Sequence, residues 1–177
     1  MIEIREITAE NSADVNLKND PFKLIGRLIV ERRDGEWNYR EELLPESEIT
    51  EMVFPDENYI FENMLGDVLL GAYEDGECIG VAILEPHFTG RLYLEDLKVS
   101  RSSRGKGVGK LLIKACQEYS RTHGFKGLCT VGQDNNLVAC RLYLATGFRI
   151  GGLDTEIYEG TRQAGKADVW FYWGDVG

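Results

Sequence analysis

The sequence predicts an α/β (α+β) fold, a single domain over residues 1–177 built around one mixed central sheet, and three observations predict it. Two Asp-Gly pairs each divide two strand-like runs, at Asp34-Gly35 and Asp75-Gly76. The second half alternates strand-like and helix-like segments. The length of 177 residues suits one hydrophobic core. Asp-Gly tolerates the positive φ that tight hairpin turns require, so "FKLIGRLIVERR" with "EWNYREELL", and "DVLLGAYE" with "ECIGVAIL", read as two hairpins. Between them "ESEITEMVFPDENYIFENML" is acidic and weakly periodic and reads as loop and irregular helix.

"RLYLEDLKV" is then a strand that runs into a basic, glycine-rich stretch. Beyond it Val108, Leu111, Leu112, Ala115, Cys116 and Tyr119 recur at helical spacing, which predicts a helix from about Gly107 to Thr122 ending near His123-Gly124. "GLCTV" follows as a strand, "NNLVACRLYLAT" as a second helix stopped at Gly147, "FRIGG" as a strand and "KADVWFYW" as an aromatic closing strand. Hairpins followed by strand-helix-strand-helix-strand make a mixed α/β layer arrangement.

Composition narrows the classes. No apolar run approaches the ~18 residues needed to cross a membrane, and "MIEIREITAE" alternates where a leader would place a basic and then an apolar stretch, so a cytoplasmic location is expected. Cys78, Cys116, Cys129 and Cys140 form no CxxC pair and lie in apolar surroundings, as reduced buried thiols do. His87 and His123 have no partner at metal-ligand spacing, and no metal is expected.

Charge is divided unevenly. The formal net charge is −10, yet Lys98, Arg101, Arg104, Lys106, Lys110 and Lys114 fall in a stretch without Asp or Glu, which leaves −16 on the rest of the chain. A strand that ends in a glycine-rich turn and re-emerges as a helix points backbone N–H groups into one concavity at the positive end of the helix dipole, where a phosphate binds. Gly105, Gly107 and Gly109 remove the Cβ atoms that would hold a pyrophosphate off, and Arg104, Lys106 and Lys110 add charge. The GxxxxGK[ST] pattern fails at Arg104 and Leu111 and the GxGxxG pattern fails at Lys110, whereas RxxGxG fits Arg104 through Gly109. A flexible turn with a solvated basic face would read the same way. On the second helix Asn136, Ala139, Cys140 and Tyr143 are spaced i, i+3, i+4, i+7 and share a face, small in the middle and polar at the ends. An elongated ligand would lie along it, although an ordinary N-cap and a core tyrosine would occupy the same positions.

These residues resemble the GNAT superfamily of N-acetyltransferases. "LEDLKVSRSSRGKGVGKLLI" is similar to its strand, RxxGxG loop and helix, and "NNLVACRLYLATGF" to its NxxAxxxYxxxGF segment. "GEWNYREEL", "GGLDTEIY" and "VWFYW" extend the resemblance toward the streptothricin acetyltransferases within it. The resemblance implies a GNAT-like domain with helices on both faces of the sheet and acetyl-CoA held between two splayed parallel strands, here "YLEDLKV" and "GLCTV". It implies that Leu97, Lys98 and Val99 pair with the pantetheine arm, that Arg104, Gly105, Lys106, Gly107, Val108, Gly109 and Lys110 hold the pyrophosphate, and that Asn136, Ala139 and Tyr143 contact the cofactor. Val99 N–H would then be the donor to the oxyanion and Tyr143 the acid for the departing thiolate.

A protonated amine must lose a proton before it attacks, and Glu95 or Asp96 is placed to take it. Side chains alternate along a strand, so the two lie on opposite faces, with Glu95 sharing that of Leu97 and Val99; a bulge would exchange them. Glu95 is slightly preferred. The acidic remainder repels nucleic acid and attracts cations, which points to a small cationic amine, of streptothricin type by resemblance, with Asp154, Glu156, Tyr158, Trp37 and Tyr39 as candidate acceptor-side residues. Acetylation of a protein lysine or N-terminus, and a non-catalytic coenzyme A binder, are the competing readings. A homodimer is left open.

Overall fold

The computed structural model describes residues 1–175. Its strands are β1 (Glu3–Glu6), β2 (Phe22–Leu24), β3 (Gly26–Arg33), β4 (Glu36–Leu43), β5 (Thr50–Met52), β6 (Val68–Glu74), β7 (Glu77–Pro86), β8 (Leu92–Val99), β9 (Gly127–Gln133), β10 (Arg149–Asp154) and β11 (Asp168–Gly174). Its α-helices are α1 (Val108–Thr122) and α2 (Leu137–Ala145), and short 3-10 stretches cover Ala9–Asn16, Glu46–Glu48, Phe61–Asn63 and Arg101–Ser103. The chain divides into two compact units. One comprises Met1–Pro21, Val53–Leu128 and the chain from Gly174; the other comprises Phe22–Met52 and Cys129–Trp173, so β9 begins in the first and continues in the second.

In the first unit the strand order is β1-β6-β7-β8-β9. The alternation in "IEIRE" is edge strand β1, antiparallel to β6. The expected hairpin β6–β7 forms, with Asp75 at φ 52° and Gly76 at φ 85° supplying the turn. Its strands are buried along most of their length, which is why "VLLGAY" and "IGVAIL" read as continuous apolar runs rather than alternating ones. Strand β8 pairs antiparallel with β7, and α1 then connects it to the start of β9. Helix α1 buries Val108, Leu112, Ile113, Cys116, Gln117 and Ser120 and packs on β6, β7 and β8. Gly80 on β7 makes that approach feasible, since a Cβ there would stand 3.0 Å from the Lys98 carbonyl and 3.1 Å from both Leu112 and Val108. Val81 and Ile83 face the other way, into a cluster with Ile7, Val15, Met64 and Leu69 that Tyr59, Phe61 and Leu17 border.

In the second unit the order is β9-β11-β10, and two further two-stranded sheets accompany it, β2 with β5 and β3 with β4. The expected central sheet is present, and these two small sheets are additional to it. The Asp34-Gly35 hairpin forms in register from Gly26↔Leu43 to Arg33↔Glu36, but it does not enter the large sheet. Strand β4, "EWNYREEL", buries none of its residues and has no second apolar face to offer a central position. Helix α2 starts at the expected Asn136 cap and stops before Gly147, at φ 88°. It lies beside β3, and Arg141 makes two bonds to Glu41 of β4, at 2.8 and 2.7 Å. Among the described residues no two of the four cysteines form a disulfide, and no helix is long and apolar enough to cross a membrane.

Candidate active site

The glycine stretch leaves β8 as a 3-10 turn and enters α1 through Gly105 and Gly107, both left-handed, at φ 78° and 85°. A Cβ at either position would meet nothing within 4 Å, so the loop is an open cradle. Gly107 is the N-cap of the fifteen-residue α1 without a side chain to cap it, and the first ladder bond runs from Leu111 N to the Gly107 carbonyl at 3.0 Å. The N–H groups of Val108, Gly109 and Lys110 precede that bond and point out of the helix end, where they fit an anionic phosphate. Lys106 and Lys110 are exposed beside them, Lys106 at 3.8 Å from Glu74.

Arg104 is a correction. Its guanidinium is turned back on the chain and donates to the backbone carbonyls of Val99 (3.0 Å), Asp20 (3.0 Å) and Pro21. It supports the loop's shape and does not extend as mobile charge. The Arg101 N–H donates to Asp20 Oδ2 at 2.7 Å, so the same short segment is gripped twice.

On β8 the pairing with β7 runs Gly80↔Val99, Val81↔Lys98, Ala82↔Leu97 and Ile83↔Asp96, then jumps to Leu84↔Leu94. Glu95 is the extra residue of a bulge. The alternation used to choose between Glu95 and Asp96 is interrupted here and does not decide between them, and the Glu95 carboxyl comes under the influence of Glu85, Asp96 and Glu57. Glu95 is exposed, yet desolvation first, and then those three carboxylates, hold its pKa above the ordinary 4.5. Asp96 is mostly buried. Its Oδ2 lies 3.1 Å from the Lys98 ammonium and accepts the Tyr59 hydroxyl at 3.2 Å. Burial raises the Asp96 pKa more than Lys98 lowers it. Burial would depress Lys98, but its bonds to Glu57 and Asp96 outweigh that and raise it. Tyr59 is raised too, by burial and then by Asp96 and Glu57. Lys98 therefore does not belong with the basic cluster of the loop. Its backbone is in β8, while its side chain is an internal ion.

In the second unit Asn136 Oδ1 accepts the Ala139 N–H at 3.3 Å, the N-cap geometry. Ala139 is half-buried and Cys140 fully buried, its thiol pushed up to about 12 by removal from water first. Tyr143 is 7% exposed, with its ring 5.6 Å from that of Phe148 and 5.3 Å from that of Phe171.

The candidate acceptor residues stand on separate elements. Trp37 and the exposed Tyr39 are on β4. Asp154 ends β10, and its Oδ1 accepts the N–H groups of Glu156 (3.0 Å) and Ile157 (3.1 Å), which makes it a turn former. Glu156 is exposed. The Tyr158 hydroxyl donates to Asp168 at 2.7 Å and accepts from Gln133 Nε2 at 2.8 Å. Sequence reasoning missed Glu57, Tyr59 and the Lys98 side chain in one unit and, in the other, Gln133 and Asp168, the partners of Tyr158. The unexplained PDENY run, with an acid and a tyrosine two residues apart in an otherwise unassigned loop, was the one local signal for the first group.

Comparison with known proteins gives the family. The profile of the acetyltransferase (GNAT) family matches residues 33–148. Streptothricin acetyltransferase A of Bacillus subtilis (strain 168) is 29% identical over 96% of this chain and 98% of its own. A streptothricin acetyltransferase of Escherichia coli is 32% identical over 58% of this chain and 60% of its own. Among solved structures, a Bacillus anthracis protein assigned as a streptothricin acetyltransferase and crystallised with acetyl coenzyme A superposes with a TM-score of 0.86 at 23% identity, covering 99% of this chain and all of that one. Nourseothricin acetyltransferase superposes with a TM-score of 0.79 at 24% identity, covering 98% of each. The shared fold and the open glycine cradle before α1 agree with the matched profile: the chain belongs to the acetyltransferase (GNAT) family and is an acetyl-CoA-dependent N-acetyltransferase.

Proposed function

We propose that the chain forms one catalytic domain that transfers acetyl directly from acetyl-CoA to a primary amine of a small cationic molecule of streptothricin type. The observation that carries the acceptor class is the nearly full-length similarity to streptothricin acetyltransferase A, which includes stretches outside the cofactor motif. The strongly acidic remainder of the chain supports it, because a negative surface steers a polycationic amine.

Bound acetyl-CoA supplies an activated acetyl thioester. The backbone of Leu97, Lys98 and Val99 pairs with the cofactor arm, and the amides from Arg104 to Lys110 hold its phosphates, with Lys106 and Lys110 as the mobile cations. Asn136 and Ala139 contact the arm from α2. Val99 N–H donates to the oxygen that gains charge. Glu95 takes a proton from the incoming ammonium, directly or through water, and Asp96, already bonded to Lys98 and Tyr59, does not. Tyr143 gives a proton to the leaving sulfur. On the acceptor side Trp37, Tyr39 and Glu156 remain open to an amine, whereas Asp154 and Tyr158 act through the bonds they already make.

A comparison of kcat/KM for streptothricin, spermidine and a lysine peptide, at saturating acetyl-CoA and rising salt, tests the reading. Streptothricin is expected to be the best acceptor and to lose efficiency as salt screens the acidic surface. Glu156→Gln is expected to raise KM for the amine and leave that for acetyl-CoA unchanged. A higher kcat/KM for spermidine would make the enzyme a polyamine acetyltransferase, the activity named for a Bacillus subtilis relative 30% identical over 47% of this chain. A higher value for the peptide would make it a protein acetyltransferase.

A further inference from the structure

Lys98 is 6% exposed, and its ammonium reaches three acceptors brought from distant parts of the first unit. These are Glu57 Oε2 at 2.5 Å, Asp96 Oδ2 at 3.1 Å and the Leu17 carbonyl at 3.1 Å. An ammonium has three N–H donors, so the set satisfies it, and only such a set lets a cation stay inside a protein. The surrounding segments are laced together at the same point. Asn16 Oδ1 accepts the Tyr59 N–H at 2.8 Å, Asn19 N–H donates to Asp56 at 2.7 Å, and the Asn19 side chain donates to the Pro55 carbonyl at 2.9 Å and to Glu57 at 3.0 Å.

All of this surrounds the bulge of β8, where Glu95 has no partner residue on β7. A bulge is a place where a ladder can slip by one residue, and a slip here would exchange Glu95 and Asp96. The geometry points to a positioning role for Lys98: by gripping Asp96 and Glu57 it fixes the bulge, keeps Asp96 as an internal anion, and leaves Glu95 as the carboxylate that accepts the proton. The inference rests on the reading of Glu95 as base. Lys98 acts through Glu95, and its side chain is not assigned a contact with acceptor or cofactor.

The charges that face Glu95 give a test that a merely structural lysine would fail. They are Glu85 on β7, Asp96 on β8, and Glu57 and Tyr59 on the connection before Phe61–Asn63, and Lys98 acts on Glu95 by offsetting the charges of Asp96 and Glu57, which it contacts. Removing the negative charge of Glu57 makes Glu95 easier to ionise and moves its titration to lower pH. Removing the positive charge of Lys98 moves it to higher pH.

Carbon-13 NMR titration of the Glu95 carboxyl in the full chain is therefore expected to shift downward in Glu57→Gln and upward in Lys98→Met. The acid limb of kcat/KM with streptothricin is expected to move in the same two directions, and Lys98→Met to lose about tenfold or more in kcat, because a misplaced reacting group costs rate more than affinity. Titrations that stay in place, or move together, would overturn the positioning role. Titrations that separate as expected while the kinetic limb stays fixed would remove Glu95 as base and the positioning role with it. If Lys98→Met does not fold, Glu57→Gln decides alone, by whether its titration and limb move downward.

Discussion

Replacing Glu95 by Gln is expected to lower kcat by about 10²- to 10⁴-fold, the range over which a positioned general base contributes, and to abolish the acid limb of the pH profile. The sign follows from its environment. Glu95 works as the ionised carboxylate, and its pKa is raised above 4.5 by desolvation and by Glu85, Asp96 and Glu57. Activity in the native enzyme should therefore climb with pH through a region above the ordinary carboxylate range, and below it the protonated Glu95 cannot accept the amine's proton. In Glu95→Gln that climb disappears, leaving only the slow rise due to the amine's own ionisation. Asp96→Asn is expected to behave differently, because it breaks the contact with Lys98 and costs stability as well as rate. Tyr143→Phe keeps the ring between Phe148 and Phe171 and removes only the hydroxyl, so it should lower kcat by about 10²-fold and act on the basic limb instead. An acid limb that survives unchanged in Glu95→Gln would show that another group takes the proton.

Gly107→Asp is expected to eliminate the thermal stabilisation that acetyl-CoA gives while leaving a folded protein. Gly107 holds a left-handed conformation at φ 85°, which Asp tolerates better than most residues, and a Cβ there meets nothing within 4 Å. The fold should therefore survive. The new carboxylate would stand at the N-terminus of α1, in the cradle proposed for the phosphates, and repel them. Ligand-induced stabilisation scales with the logarithm of ligand over Kd, so a large loss of affinity reads directly as a vanished shift in Tm. A folded Gly107→Asp protein that acetyl-CoA still stabilises fully would move the phosphates elsewhere.

What the residues disclosed in advance depended on how local the cause was. Asp34-Gly35 and Asp75-Gly76 form their turns because positive φ is a property of the residues themselves, and α1 appears where its apolar spacing places it. The glycine cradle was legible for the same reason. Which sheet a hairpin joins is set by distant partners, so the turn at Asp34-Gly35 was legible and the separate pairing of β3 with β4 was not. The Glu95 bulge depends on register with β7, and alternation along β8 alone could not reveal it. Arg104 read as mobile charge because its acceptors, Asp20 and Pro21, lie more than eighty residues earlier. Lys98 was counted with the cations of the loop because Glu57, which holds it, sat in a stretch with no periodicity to interpret. Asp154 looked like a ligand for an amine, and its two backbone bonds make it a turn.

The proposed acceptor is tested most directly by mass spectrometry of streptothricin after incubation with acetyl-CoA and a catalytic amount of the protein. The account predicts one added acetyl group, placed by fragmentation on a lysine-type amine, with one coenzyme A released for each product formed. Streptothricin recovered unmodified, under conditions in which a lysine peptide or spermidine is acetylated, would contradict it.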